Sequence, residues 1–169
     1  MLPDEQLIVA SQLGRLPRGP WRVAGRCAGG APTVIAVAPL LEDGSPFPTT
    51  FWLTCPRLVA AVHDLESVGE SARFADRVRS EPEFAAAVVE ADAAYRAARR
   101  SEGRWSDPCE GVGVAGQADP LAVKCLHARL AAHLAGVCDP IGALVAERVS
   151  DVAAADCRDE RCHARASSA

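Results

Sequence analysis

The sequence predicts an α+β fold, with a small three-stranded antiparallel sheet in the N-terminal third covered by several α-helices. Three observations predict it. Between residues 20 and 55, short β-type runs alternate with connectors rich in Gly, Pro, Asp and Ser, the pattern of strands joined by tight turns. From Pro56 onward the apolar residues recur at spacings of three and four, the helical period. The chain is also rich in alanine and only 5% aromatic, a composition that favours helices packed closely together.

The elements follow in order. Asp4 is placed to cap a short helix carrying Leu7, Ile8 and Leu13, with Gly14 as its stop. "LPRGP" breaks that helix. Residues 21–26 and 33–38 read as strands separated by "CAGGAP", and 49–55 reads as a third strand after "LEDGSPFP". Pro56 fits the first turn of a helix, where its missing N–H costs nothing. Leu58, Val59, Val62 and Leu65 continue that helix until Gly69. A short helical piece is expected over 71–80 and a longer helix over 82–102, with Phe84, Val88, Ala91 and Tyr95 on one face. Glu81, Glu83, Glu90 and Asp92 read as a solvated face. Residues 103–119 are a Gly-rich loop. Asp119-Pro120 reads as the start of a helix over 120–136, apolar on two sides and so buried between layers. A last helix is expected over 140–155. Residues 1–155 thus form one domain, and 156–169 a polar, frayed tail.

Composition excludes several function classes. With 18 Lys and Arg against 22 Asp and Glu, and no basic run, the chain lacks the positive face that nucleic-acid binding requires. No stretch reaches the roughly 18 apolar residues of a membrane span. The N-terminus, "MLPDEQLIVASQLGR", is acidic early and is not a secretory signal. The expectation is a cytoplasmic protein with reduced cysteines. Seven cysteines cannot all pair within one chain in any case.

Two motif matches carry no function. "GVGVAG" at 111–116 fits G-x-G-x-x-G, but Asp107-Pro108 precedes it where a strand should stand, and no helix opens within it. It reads as a flexible loop. Ser, His and Asp are present without a G-x-S-x-G elbow, and His63 reads as a surface residue of its helix.

The cysteines are the informative group. Cys27 ends the first strand and Cys55 the third, while Cys125 lies in "VKCLHA" with His127 two residues on. Thiolate and imidazole suit zinc or an iron–sulfur cluster. Against this, no C-x₂-C pair is present. Positions i and i+2 on a helix also point roughly 200° apart, so a helical Cys125 and His127 could not share an ion. The alternative is that Cys27, Cys55 and Cys125 are reduced core residues, for which cysteine is well suited. Cys109 falls in the loop, Cys138 ends the buried helix, and Cys157 and Cys162-His163 fall in the tail, where no function is assigned to them.

Several segments together, "QLGRLPRG", "RCAGGAPTVIAVAPLLEDGSPFPTTFWLTCPRL", "LES", "VKCLHA" and "DPIG", resemble an uncharacterised and mainly actinobacterial family, domain of unknown function 501, over about residues 4–145. The resemblance implies that Cys27, Cys55, Cys125 and His127 belong to signature segments. It brings no established activity, and the gene surroundings of such proteins hint at cell division or the envelope. The chain departs from the family's usual pattern at Ala28-Gly29, where Pro followed by Cys or Tyr is common so that a second cysteine is absent here, at Arg129, where a histidine is common, and at Asp139, where an asparagine is common.

Three functions remain open. The first is a small cytoplasmic metal-binding protein, holding zinc or an iron–sulfur cluster by Cys27, Cys55, Cys125 and His127. The second is a non-catalytic module that presents its helices to a protein partner. The third is a thiol enzyme with Cys125 or Cys55 as nucleophile and His127 or His63 as base, ranked last because a thiol buried among apolar groups is inert.

Overall fold

The structure is a computed structural model and describes residues 3–154 and 157–163. Helix α1 (Pro3–Leu13) precedes a sheet of β1 (Trp21–Arg26), β2 (Pro32–Val37) and β3 (Phe51–Leu53). The order is β1-β2-β3 and both pairings are antiparallel, so β2 is central and β3 is an edge. All six residues of β2 are buried, as expected of a strand covered on both faces. Val34 and Ala36 enter the main core with Phe51 and Leu53 of β3. Ile35 and Val37 turn the other way, to a smaller core with Val9 of α1, and Trp52 packs against it. The period-two alternation therefore divides one strand between two cores.

The sheet is followed by α2 (Pro56–Ser67), α3 (Glu70–Ser80), α4 (Pro82–Glu102), α5 (Leu126–Leu134), α6 (Pro140–Arg148) and α7 (Ser150–Ala154), seven α-helices in all among the described residues. Cys55 is the N-cap of α2 and Pro56 its first residue, so strand turns to helix at the thiol. The α+β class and the three-stranded antiparallel sheet in the N-terminal third are as the sequence predicts.

Four local expectations are corrected. The helix expected over 120–136 begins only at Leu126. Asp119 accepts the Leu121 N–H at 2.9 Å, a local turn that competes with helix. The carbonyls of Pro120 and Ala122 are held by the Arg129 guanidinium, at 3.4 and 3.1 Å, instead of by a helical ladder. The helix expected over 140–155 is broken into α6 and α7.

Asp92, expected on a solvated face, is 3% exposed. It bonds the Val114 N–H at 3.1 Å and Arg96 at 2.7 Å. The loop over 103–119 is anchored rather than flexible. Arg99, wholly buried, holds both oxygens of Asp107 and the carbonyls of Cys109 and Val112. Gly113 lies so close to Asp92 that a Cβ there would stand 1.6 Å from its carboxylate; this is what a glycine in "GVGVAG" is needed for.

Within the described part of the expected 156–169 tail, Glu160–Cys162 form a short 3-10 turn against α1. Cys162 is 5% exposed and accepts a hydrogen bond from Gln12 of α1 at 3.4 Å. Residues 155–156 and 164–169 lie outside the described residues.

Candidate functional site

The late start of α5 has a direct consequence. Cys125 is not helical but is the extended N-cap residue, with φ −146° and ψ 114°, while His127 sits in the first turn. The geometric objection to their acting together applies only to two helical residues, so it lapses here. The Cys125 sulfur, a ring nitrogen of His127 and a carboxylate oxygen of Glu66 all lie within 4.8 Å of one another. This is the one such group of potential metal ligands among the described residues.

Glu66 comes from the C-terminal half of α2 and joins the two elements. Its Oε1 accepts the Leu126 N–H at 2.7 Å, and its Oε2 lies 3.3 Å from Nδ1 of His127. The carboxylate thus meets a free N–H at the start of α5, where the helix dipole favours negative charge. The other ring nitrogen, Nε2, donates to the Val59 carbonyl of α2 at 3.1 Å. A carbonyl only accepts, which fixes the proton on Nε2 and turns Nδ1 toward Glu66 and Cys125.

The charges follow from this arrangement. Burial pushes the Cys125 thiol up, but His127 beside it and the nearby Ala128 N–H outweigh burial and bring it below its usual range. Contact with the Cys125 sulfur raises the His127 imidazole most; burial opposes it, Glu66 and the Val59 carbonyl add to it, and the result is pushed up to about 9. The inertness argued for a buried thiol therefore does not hold for Cys125. It is half-buried, at a helix N-terminus and beside a cation, the surroundings that favour thiolate. Cys125 and His127 line an open cavity of about 230 Å³ with Thr49, Phe51, Trp52, Leu53 and Ala128.

Cys27 and Cys55 stand elsewhere. Both line a cavity of about 490 Å³ on which Cys157, Cys162 and His163 also open. Cys55 begins α2 and Glu66 lies near its end, at opposite ends of a helix roughly 18 Å long at 1.5 Å per residue. Of the four residues singled out in the sequence, the structure brings Cys125 and His127 together and leaves Cys27 and Cys55 on a separate hollow. Neither is in the group with Glu66. In that second hollow, burial raises the Cys162 thiol to about 11, with Cys157 and Cys55 adding to it. His63 is exposed and lies outside both sites.

Glu66 is the residue sequence reasoning missed. It lies in the "LES" segment quoted above, but a lone glutamate on a helix has no spacing that marks it. Only the fold brings it to His127.

Among the described residues, no helix is long and apolar enough to cross a membrane. No curated protein and no solved structure matches the chain at a significant level. The family described as "Protein of unknown function (DUF501)" matches residues 23–147. That span holds β2, β3, all but the first two residues of β1, α2 to α5 and all three residues of the Glu66, Cys125, His127 group, and the chain belongs to the DUF501 family.

Proposed function

We propose that this protein is a cytoplasmic metal-binding protein whose centre is formed by Glu66, Cys125 and His127, with zinc as the ion. The observation that carries this reading is the His127 ring, whose Nε2–H is held by the Val59 carbonyl at 3.1 Å while Nδ1 faces the other two ligands. Histidines that bind metal in proteins use one nitrogen and anchor the other in this way. The spacing also suits zinc. Bonds of about 2.0–2.3 Å at tetrahedral angles put neighbouring ligand atoms about 3.3–3.7 Å apart, and Nδ1 and Oε2 are 3.3 Å apart. One thiolate in the group favours a single ion over an iron–sulfur cluster, which takes several. Three protein ligands would leave a fourth position open, as in zinc sites that perform chemistry, and two of them, Cys125 and His127, line the 230 Å³ cavity. A thiolate ligand also suits a reducing compartment.

The test is metal analysis of protein purified without chelator and without oxygen. One zinc per chain is expected in the wild type, with loss in Glu66→Ala, Cys125→Ser and His127→Ala and retention in Cys27→Ser and Cys55→Ser. A metal-free wild type that takes up no added zinc would overturn the reading.

A second reading is favoured by the placement of Cys125 at the α5 N-terminus beside His127, with the Val59 carbonyl orienting the imidazole through its other nitrogen. This is the order of nucleophile, base and orienting group found in thiol enzymes. A wild type that stays metal-free while Cys125 reacts with iodoacetamide faster than every other cysteine supports this reading over the first.

A further inference from the structure

The second hollow gathers thiols from three separate stretches of the chain. Cys27 stands in the turn after β1, Cys55 at the N-cap of α2, and Cys157 and Cys162 in the segment that follows α7. All four line the cavity of about 490 Å³, so four of the chain's seven cysteines meet on one hollow. Cys55 and Cys162 are buried, and Cys27 and Cys157 are half-buried. Cys55 and Cys157 are both close enough to act on the Cys162 thiol. Local contacts hold the outer two segments in place. The Cys27 N–H donates to the Ala31 carbonyl at 3.0 Å, and its carbonyl accepts the Gly30 N–H at 2.9 Å, in a tight turn that takes Gly30 to φ 83°. Gln12 of α1 donates to the Pro32 carbonyl at 2.9 Å and to the Cys162 sulfur at 3.4 Å, which ties the last thiol to the start of β2.

The lining suits a soft and negatively charged centre. Among the described residues no carboxylate lines the hollow, so the donors that calcium and magnesium require are lacking. Arg26 and Arg57 do line it, and their charge offsets that of several thiolates. Leu58, Leu134 and Val152 give it an apolar wall. No three donor atoms of the described residues converge on this hollow closely enough to share one ion, so a single zinc is not served here. An iron–sulfur cluster is a wider body and spreads its four thiolates around it. Cys157 and Cys162 are also separated by four residues, the C-x₄-C interval found in one class of cluster proteins.

We propose that Cys27, Cys55, Cys157 and Cys162 hold an iron–sulfur cluster in the 490 Å³ hollow, a second centre separate from that of Glu66, Cys125 and His127. It does not depend on zinc at the first.

The test uses the full chain, purified without oxygen and incubated with ferrous iron, sulfide and a thiol reductant. Bound iron and acid-labile sulfide are expected in equal amounts, with a visible absorption that dithionite bleaches. The double variant Cys27→Ser, Cys157→Ser changes the two half-buried ligands and is expected to lose the sulfide and the absorption while keeping its far-ultraviolet circular dichroism. Cys109→Ser is expected to keep both, and Cys125→Ser to lose zinc but keep the cluster. Should the double variant fail to fold, alkylation of the wild type reads the same ligands. Cys27 and Cys157 are then expected to be protected from iodoacetamide in the cluster-loaded protein and labelled in the cluster-free protein, and equal labelling in the two forms overturns the proposal. A wild type that takes up zinc but no sulfide overturns it as well and leaves the zinc reading standing. Iron bound without sulfide is adventitious and overturns it, as does a cluster that survives in the double variant. A cluster in a protein that never takes up zinc sinks the zinc reading and leaves this one standing.

Discussion

Glu66 faces Nδ1 of His127 at 3.3 Å while its other oxygen holds the first N–H of α5. One carboxylate thereby positions the imidazole and ties α2 to α5. Without a metal ion both ring nitrogens face acceptors, so the protonated ring is the stable form, and His127 is raised to about 9.

That shift makes stability depend on pH. An unfolded histidine titrates near 6.5, well below the folded value of about 9. A raised value stabilises the fold fully below about 6.5, and the contribution is lost as pH rises through about 9. In EDTA, His127→Gln is expected to lower Tm most at about pH 6 and scarcely at all near pH 10. A Tm gap that stays constant between those limits would count against the ion pair.

Thiol reactivity should separate the two cysteine hollows. Cys125 lies below the usual thiol range because of His127, whereas Cys162 is raised to about 11 by burial. Alkylation of native, metal-free protein followed by peptide mapping is expected to label Cys125 with a midpoint below the free-thiol value of about 8.5. Cys162 is expected to remain unlabelled at neutral pH. The His127→Ala variant should move the Cys125 midpoint upward; an unmoved midpoint would show that His127 does not govern it.

The cost of Cys125→Ala depends on what is bound. In metal-free protein it removes one small half-buried group, at about 1 kcal/mol. In the zinc-loaded protein it removes a ligand from a site whose binding energy, on the order of 10 kcal/mol, is coupled to folding. Denaturant unfolding with and without zinc should therefore show a large gap between wild type and variant only in the loaded state. Equal gaps in the two states would remove Cys125 from the ligand set.

Arg129 and Asp139 form a buried ion pair at 3.1 Å, with both side chains almost wholly inaccessible. Asp139 also caps α6 by accepting the Gly142 N–H at 2.9 Å. Asp139→Ala strands the guanidinium in the core and is expected to cost about 3–5 kcal/mol, read as a lowered denaturant midpoint. Asp139→Asn keeps the cap and an acceptor and should cost much less. If the two variants unfold alike, the charge of the pair is immaterial.

The sheet, its antiparallel order and the start of α2 at Cys55-Pro56 were legible because they rest on local signals. Turn residues, apolar period and the fixed φ of proline act over a few residues. Cys125 and His127 were legible as residue types that bind metals, and their signature segment drew attention to them. The start of α5 was not legible, since Asp119-Pro120 has the chemistry of a helix N-terminus. It is overridden by Arg129, whose guanidinium takes the carbonyls of Pro120 and Ala122.

Asp92 shows the same limit. A carboxylate on a helix looks solvated until a loop brings the Val114 N–H to it, beside Arg96 one turn on in the same helix. The composition of the candidate centre depends on such contacts. Local sequence determined that a thiol and an imidazole stand two residues apart. The tertiary structure decided that Cys125 is extended rather than helical, which lets both point to one place. It also decided that Glu66 completes the group, while Cys27 and Cys55 open on a different hollow. The physical reason is that ligand convergence is set by how α2 packs against α5, through long-range contacts that no spacing along the chain encodes.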